Sequence, residues 1–207
     1  MRLGIMGGTF DPVHRGHLAV ARAALQEADL DEVRFLPDGD PPHKTPGAPG
    51  EDRLRMVRLA VRGKPGLTVS DMELRRQGRT YTVDTLLQLK REEPGRELFY
   101  VVGSDTLFLF PTWRTAERVA GLCRMLVALR PGDGRAEVEA QRRAMHERYG
   151  LVSELLLETG PDISSSQVRE AVRRGEDLGA LVPPAVARHI LRRGLYRDEA
   201  PAAGAAP

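Results

Sequence analysis

Short apolar runs alternate with amphipathic segments along most of this chain of 207 residues. The runs have the length of buried strands, and the segments between them carry apolar residues at helical spacing. Strands that alternate with helices in this way pair in parallel through right-handed crossovers. The pattern therefore predicts an α/β fold, a single-domain, Rossmann-like, doubly wound parallel sheet with helices on both faces. The predicted strands span 3–6, 33–36, 67–74, 98–102, 124–129 and 155–157.

Composition narrows the class of protein. The single cysteine, Cys123, gives no internal disulfide framework. No apolar run approaches the roughly 20 residues of a membrane helix, and no signal-peptide pattern opens the chain. The net charge is only +2, and the arginines are dispersed rather than interleaved with aromatic residues, so nucleic-acid binding has little support. We expect a soluble cytoplasmic protein with one domain over residues 1–196 and a disordered tail over 197–207, and a homo-oligomer is left open.

The segment Met6–His17, MGGTFDPVHRGH, lies where the first predicted strand turns into a helix. Gly7 and Gly8 allow backbone angles closed to other residues and let a ligand approach closely. His14 and His17 stand at i and i+3, so they share one face of the first helical turn. The unpaired N–H groups and the positive dipole end of the helix lie at that same turn. Together these features predict a site for an anion, most naturally a phosphate.

Two other interpretations of the histidine pair stay open. The rings could be zinc ligands, although structural zinc usually takes four protein ligands, often cysteines, and Cys123 stands alone. They could also be ordinary exposed helix residues. The segment matches neither the GxGxxG fingerprint nor the GxxxxGK[ST] loop, so it resembles neither dinucleotide-binding dehydrogenases nor P-loop NTPases.

The string GGTFDPVHRGH resembles the HxGH signature and glycine-rich approach of the nucleotidyltransferase superfamily. With its flanking GGTFDP it is similar to the bacterial nicotinate-nucleotide adenylyltransferases in particular. This resemblance runs from about Leu3 to Tyr196 and implies that the segment binds ATP, with Thr9 also near nicotinate mononucleotide. The residues implied on the ATP side are Gly7, Gly8, Thr9, Phe10, His14 and His17.

A long loop rich in proline and glycine is predicted from Pro37 to Gly50. Loops of this length are more often functional or disordered than simple connections between two elements. This one carries a basic pair, His43 and Lys44, which could simply be solvated. The family has a PPHK segment at this place, where it is expected to close over bound nucleotide. The resemblance thus implies that His43 and Lys44 bind the phosphate of nicotinate mononucleotide.

The tetrapeptide GSDT, 103–106, follows the predicted strand 98–102. Asp105 could cap the next helix, which is a common use of aspartate. It could instead bind a ribose hydroxyl or a group on the adenine side. The family has a similar GxD segment here, so the resemblance implies that Gly103 and Asp105 bind ATP.

Trp113 is the only tryptophan of the chain. An aromatic ring of this size is most often part of the core. A planar heteroaromatic ligand would also gain from stacking on it. In the family a tryptophan at this place is associated with the pyridine ring, and the resemblance favours stacking.

The segment TYTVDT, 80–85, is similar to the (S/T)YTxDT segment of the family. Thr82 could cap the following helix and leave backbone N–H groups free to bind a carboxylate. A carboxamide would present an NH2 donor against those donors, which is the physical basis for preferring nicotinate over nicotinamide. The alternative is an ordinary helix cap with Tyr81 in the core. The resemblance implies that Tyr81, Thr82 and Thr85 bind nicotinate mononucleotide.

The segment ISSSQVR, 163–169, places three serines before a helix and an arginine within its first turns. Serines at such places are often simple caps. The three hydroxyls, the helix N-terminus and Arg169 together would also form a second anion site. The family assigns its ISS(S/T)xxR segment to the ATP phosphates, which implies that Ser164, Ser165, Ser166 and Arg169 bind ATP.

The resemblance implies transfer of AMP from ATP to nicotinate mononucleotide, giving nicotinate adenine dinucleotide and pyrophosphate. The acceptor phosphate is already an anion, so catalysis should consist of orientation and charge stabilisation. His14, His17 and Arg169 are the expected catalytic residues, and Mg²⁺ is expected on the ATP phosphates without a direct protein ligand. The alternatives are an adenylyltransferase acting on nicotinamide mononucleotide or pantetheine phosphate, and a non-catalytic nucleotide sensor.

Overall fold

The computed structural model describes residues 1–40, 46–130, 132–157 and 160–197. Six strands form one sheet in the order β3-β2-β1-β4-β5-β6, and every neighbouring pair is parallel. The strands are β1 (Arg2–Gly8), β2 (Glu32–Pro37), β3 (Leu67–Val69), β4 (Glu97–Gly103), β5 (Arg124–Ala128) and β6 (Ser153–Leu156). This order is that of a doubly wound Rossmann-like sheet, so the predicted fold class is confirmed.

Helices connect the strands and cover both faces of the sheet. They are α1 (Arg15–Glu27), α2 (Gly50–Val61), α3 (Thr82–Glu92), α4 (Ser104–Leu109), α5 (Ala116–Leu122), α6 (Arg135–Tyr149), α7 (Ser165–Arg173) and α8 (Pro184–Arg193), with a 3₁₀ turn at Phe110–Thr112. Side chains of β1 alternate between two apolar layers, Leu3 and Ile5 in one and Met6 in the other. Helices α1, α2, α7 and α8 bury apolar residues in the Met6 layer, and α3 to α6 bury theirs in the opposite layer.

The carboxyl ends of the central strands meet at one edge of the sheet. Gly8 at the end of β1 pairs with Pro37 of β2, and Gly103 at the end of β4 pairs with Ala128 of β5. Ligands of doubly wound sheets lie beyond this edge, where the strand order reverses. The reversal falls between β1 and β4, next to the glycine-rich segment.

The prediction of a strand over 67–74 was wrong beyond Val69. The Ser70 hydroxyl accepts a hydrogen bond from the Met72 N–H, and the Arg75 N–H donates to the Asp71 carbonyl, which folds the chain into a turn. Serine and aspartate compete with strand pairing through such local bonds. The turn carries Glu73 into a buried position beside the end of β2.

Within the described ranges, no helix is long and apolar enough to cross a membrane. The predicted tail lies outside the described residues, apart from the exposed Arg197. The cytoplasmic location stays a prediction.

Candidate active site

A cleft of about 570 Å³ lies at the carboxyl edge of the sheet. Its walls come from the ends of β1, β4 and β5, from the start of α1 and from the segment before α7. Of the residues predicted to bind substrates, those that line it are Gly7, Gly8, Thr9, Phe10, His14, His17, Gly103, Trp113, Ser164, Ser165 and Ser166. The cleft therefore joins residues from both ends of the chain.

The two imidazoles form a stacked pair at the start of α1. Their ring centroids lie 3.6 Å apart with the planes at 29°, and the edge of Phe10 meets His17 at 5.1 Å. The backbone N–H of His14 donates to Nδ1 of His17 over 3.2 Å. Because Nδ1 accepts this bond, a neutral His17 carries its proton on Nε2. The backbone thus selects the tautomer of His17.

Gly16 lies between the two histidines and allows the start of α1 to pack closely against the segment that precedes α7. A Cβ at this position would lie 3.0 Å from Nδ1 of His14 and 3.2 Å from the backbone oxygen of Pro161. The second contact is with backbone, which yields less easily than a side chain. The glycine between the two histidines therefore serves packing between α1 and the segment that leads into α7.

Burial and the nearby Arg130 lower the pKa of His14 to about 4. The ring is only 6% exposed and is consequently neutral near pH 7 in the ligand-free protein. It can donate a hydrogen bond in this form, and a bound polyphosphate would raise its pKa. Arg130 follows β5, lines the cleft and pairs with Asp105 over 3.0 Å, and it was absent from the predicted site residues.

The three serines at the start of α7, the N-cap Ser164 and the first two helical residues Ser165 and Ser166, make different bonds. Ser164 is the N-cap, since its hydroxyl accepts from the Gln167 N–H over 3.2 Å and Gln167 Oε1 accepts from the Ser164 N–H over 2.6 Å. Ser165 donates from its hydroxyl to the Pro12 carbonyl over 3.0 Å. Ser166 accepts from Nη2 of Arg169 over 3.0 Å. One serine is therefore a cap, the second joins α7 to the segment before α1, and the third holds the arginine side chain within α7.

Arg169 lies beside the cleft, behind Ser166. Its Nη1 donates to the backbone carbonyl of Asp11 over 2.7 Å and lies 4.0 Å from the Asp11 carboxylate. The guanidinium is thus held between α7 and the segment that precedes α1. The guanidinium thus contacts the backbone three residues before His14, although Arg169 is outside the residues that line the cleft.

Two buried charged residues hold the base of the cleft, and the sequence patterns did not identify either of them. The Asp11 carboxylate accepts from the backbone N–H groups of Gly47 and Ala48 over 2.7 and 3.0 Å and from the Tyr196 hydroxyl over 2.8 Å. Arg53 is 2% exposed and donates to the carbonyls of Thr9 and Asp38 over 2.8 Å and to that of Ala48 over 3.3 Å. The carbonyls that Arg53 binds come from three separate segments, so it fixes their relative positions.

Asp38 is a further cleft residue that was not singled out from the sequence. Its N–H donates to the Gly8 carbonyl over 3.0 Å, and its carboxylate accepts from the Thr9 hydroxyl over 3.2 Å. The only sequence signal was its position near the start of the predicted loop Pro37–Gly50, two residues after a predicted strand. The Thr9 hydroxyl in the cleft is therefore oriented by the carboxylate of Asp38, the residue that follows β2.

Trp113 combines the two roles considered for it. The side chain is half-buried, packs edge-on against Tyr100 at 5.6 Å and meets Phe110 at a tilted angle at 5.5 Å. It also lines the cleft. One part of the indole thus belongs to the core, and another part is available to a ligand.

The start of α3 differs from the prediction. Tyr81, not Thr82, is the N-cap residue, and no side-chain hydrogen bond caps this helix, so the predicted capping role of Thr82 was wrong. The reason is that the chain turns helical one residue earlier, at Thr82 itself. Tyr81 lies under the guanidinium of Arg114, 4.6 Å from the ring centroid. Tyr81, Thr82 and Thr85 all lie outside the residues that line the described cleft.

Thr85 is fully buried in a polar network behind the cleft. Its hydroxyl donates to the Glu73 carboxyl over 2.6 Å and accepts from Arg76 over 3.0 Å. Burial raises the pKa of Glu73 to about 7, and the charge of Asp38 acts in the same direction. The network therefore braces the first turns of α3 against the end of β2.

Asp105 does not cap α4, since Gly103 is the N-cap. The aspartate is exposed and faces Arg130 at the mouth of the cleft. His43 and Lys44 lie outside the described residues. Among the residues that are described, no three His, Cys, Asp or Glu side chains come together as a metal site would need, so His14 and His17 find no further zinc ligand there.

The comparison with known proteins agrees with this geometry. The cytidylyltransferase-like family model matches residues 5–171, from β1 into α7. That span contains the parallel sheet, the histidine pair and the serines of the cleft. The chain is therefore a nucleotidyltransferase of the cytidylyltransferase-like family.

Full-length relatives define the family more narrowly. A probable nicotinate-nucleotide adenylyltransferase of Synechococcus sp. is 41% identical over 197 residues, which cover 94% of this chain and 96% of the relative. One from Dehalococcoides mccartyi is 43% identical over 201 residues, covering 95% and 97%. The structure of a Plasmodium falciparum nicotinic acid mononucleotide adenylyltransferase complexed with NaAD shares the fold, with a TM-score of 0.77 at 18% identity over 94% of this chain and 97% of that one. The chain belongs to the nicotinate-nucleotide adenylyltransferase family.

Proposed function

We propose that this enzyme transfers AMP from ATP to nicotinate mononucleotide, forming nicotinate adenine dinucleotide and pyrophosphate. The observation that carries the proposal is the shared cleft, in which His14 and His17 face the serine segment before α7. In the reaction, an oxygen of the acceptor phosphate forms a bond to the α-phosphorus of ATP. The bond from that phosphorus to the bridging oxygen breaks, and pyrophosphate leaves with the electron pair.

This reaction needs charge stabilisation rather than a protein nucleophile. His17, whose tautomer is fixed by the backbone of His14, would donate from Nε2 to oxygens on the α-phosphoryl group. Neutral His14 would donate a hydrogen bond to the same group. The N–H groups at the start of α7, together with Arg169, would hold the β- and γ-phosphates.

The remaining predicted ATP contacts lie around these groups. Gly7, Gly8, Thr9 and Phe10 would form the backbone cradle, and Gly103 and Asp105 would face the adenosine. Arg130 joins them as a cation at the cleft mouth. Mg²⁺ would arrive on the ATP phosphates and neutralise part of their charge, and the serine, histidine and arginine side chains here suit phosphate oxygens rather than the cation.

The acceptor would lie toward Trp113, which offers a half-buried face for stacking with the pyridine ring. The N–H groups at the start of α3, beside Tyr81 and Thr82, would bind the carboxylate. Thr85 would support the start of α3 indirectly, through its hydrogen bond to Glu73 behind the cleft. His43 and Lys44 are proposed for the acceptor phosphate from the resemblance alone.

The test is an assay of the full chain with ATP and each of three acceptors: nicotinate mononucleotide, nicotinamide mononucleotide and pantetheine phosphate. We expect pyrophosphate and dinucleotide with the nicotinate compound at the highest kcat/KM. A clear preference for the amide, or for pantetheine phosphate, would overturn the acceptor assignment. Binding of ATP without pyrophosphate release in any mixture would mean a nucleotide sensor.

A further inference from the structure

Tyr100 occupies the floor of the cleft between the glycine-rich segment and Trp113, and neither the sequence patterns nor the family signatures assign it a role. It belongs to β4, is 8% exposed and lines the cleft. A Cβ on Gly7 would overlap the Tyr100 hydroxyl oxygen, so the glycine and the phenol are in direct contact. The hydroxyl therefore reaches across from β4 to the last residues of β1.

The Tyr100 ring supports the tryptophan. The two rings meet edge to face, with centroids 5.6 Å apart and planes at 82°. Phe110 holds Trp113 from another side, at 5.5 Å and 54°. Aromatic pairs of this geometry have a preferred orientation. The angle that the indole presents to the cleft thus depends on Tyr100.

The Tyr100 hydroxyl has a separate polar role. It faces the side chain of Thr82, the first residue of α3. Burial raises the pKa of the phenol far above its usual value, with the charges of Glu73 and Asp38 acting in the same direction, so the group keeps its proton. A neutral phenol at this point ties the first turn of α3 to β1 and β4.

We propose that Tyr100 is a positioning residue for the acceptor end of the cleft, where its ring orients Trp113 and its hydroxyl holds the start of α3 next to Gly7. This inference rests on the proposed function, because it takes the acceptor to be a pyridine mononucleotide. In this role, Tyr100 sets the affinity for nicotinate mononucleotide and the discrimination against nicotinamide mononucleotide. It leaves the ATP side unaffected, because the His14–His17 pair is held by other contacts.

The first experiment is Tyr100→Phe in the full chain, with steady-state kinetics for ATP and both pyridine mononucleotides. The ring is kept and the hydroxyl that contacts Gly7 and faces Thr82 is lost, so we expect KM for nicotinate mononucleotide to rise about 3- to 10-fold. KM for ATP should stay unchanged, and the preference for the acid over the amide should fall. Tyr149→Phe is the matched control, since Tyr149 packs on the same Phe110 at 5.6 Å but lies outside the cleft residues.

Unchanged acceptor kinetics in Tyr100→Phe, or equal rises in KM for ATP and acceptor, would overturn the inference. A readout that does not depend on activity distinguishes failure of this inference from failure of the proposed function. Trp113 is the only tryptophan, so its fluorescence reports its surroundings. Because the Tyr100 ring packs on Trp113, the emission of ligand-free Tyr100→Leu should differ from that of the parent protein, and that of Tyr149→Leu should not. If the parent protein uses no pyridine mononucleotide, the proposed function fails whatever the fluorescence does.

A compensation test uses the contact between Tyr100 and Gly7. Gly7→Ala places a methyl group against the phenol oxygen and should raise KM for the acceptor, and KM for ATP as well because Gly7 belongs to the proposed ATP cradle. Removal of that oxygen leaves Cζ as the nearest Tyr100 atom, 3.3 Å from the new methyl. The double variant Gly7→Ala/Tyr100→Phe should therefore bind the acceptor better than Gly7→Ala alone. A double variant with the sum of both defects would contradict the proposed contact.

Discussion

Nη1 of Arg169 donates a 2.7 Å hydrogen bond to the backbone carbonyl of Asp11, which lies 158 residues earlier in the chain. Ser165 repeats the connection with a 3.0 Å bond to the carbonyl of Pro12, 153 residues earlier. Each bond joins the start of α7 to the segment before α1. The two predicted anion sites therefore share one cleft, which is the arrangement that adenylyl transfer between two phosphates requires.

His17→Ala should lower kcat at least ~100-fold, because a donor aimed at developing phosphoryl charge is removed. Circular dichroism should show an intact fold, since His17 is only partly buried. The control is His146→Ala, whose ring contacts the Leu151 carbonyl away from the cleft and should not affect turnover. Near-normal turnover of His17→Ala would refute its catalytic role.

Gly16→Ala should impair both folding and activity. The added methyl would lie 3.0 Å from the His14 ring and 3.2 Å from the Pro161 backbone oxygen. Overpacking of this kind costs about 1–3 kcal/mol of unfolding free energy. Gly121→Ala in α5 is the matched control, because a Cβ there meets no described heavy atom within 4 Å beyond its own helix and neighbours. Denaturant unfolding measures both, and equal stability of the two variants would contradict the packing role of Gly16.

Glu73→Gln should change how stability depends on pH. An exposed glutamate releases its proton near pH 4.5, whereas burial raises the pKa of Glu73 in the folded protein to about 7. The folded state holds the proton more tightly, so the parent protein loses stability as the pH rises through this window, by about 3 kcal/mol from this group. Glutamine has no such proton and still accepts from Thr85.

The measurement for Glu73→Gln is the difference in unfolding free energy between the variant and the parent at pH 5 and at pH 8. That difference should move in favour of the variant at the higher pH. Taking the difference cancels the opposite trend from His14, whose lowered pKa costs stability as the pH falls from 6.5 toward 4. A difference that does not change with pH would show that Glu73 is not a buried acid.

Asp11→Asn should destabilise the protein by about 1–3 kcal/mol, because in either orientation of the amide its NH2 group would face a backbone N–H, that of Gly47 or that of Ala48. Activity should fall as well, since Asp11 leads directly into the histidine segment. Tyr196→Phe removes only one of the three bonds to the carboxylate and should cost about 1 kcal/mol. Equal losses in the two variants, measured by urea unfolding, would argue against Asp11 as the centre of this network.

The sequence by itself determined the class of the fold and the location of the site. The alternation of strands and helices is a local property, and the parallel order follows from it through general rules of chain crossing. The HxGH segment and the serine segment could be found for the same reason, because each is a short string at the start of a helix.

Only the tertiary structure decided which groups meet across the cleft. Asp11, Arg53 and Tyr100 bind or contact residues from segments far away in sequence, and no periodicity encodes such partners. The start of α3 at Thr82 and the burial of Glu73 likewise depend on packing against β2 and β4. Local patterns reflect interactions over a few residues, whereas the partner of a buried polar group is chosen by the whole fold.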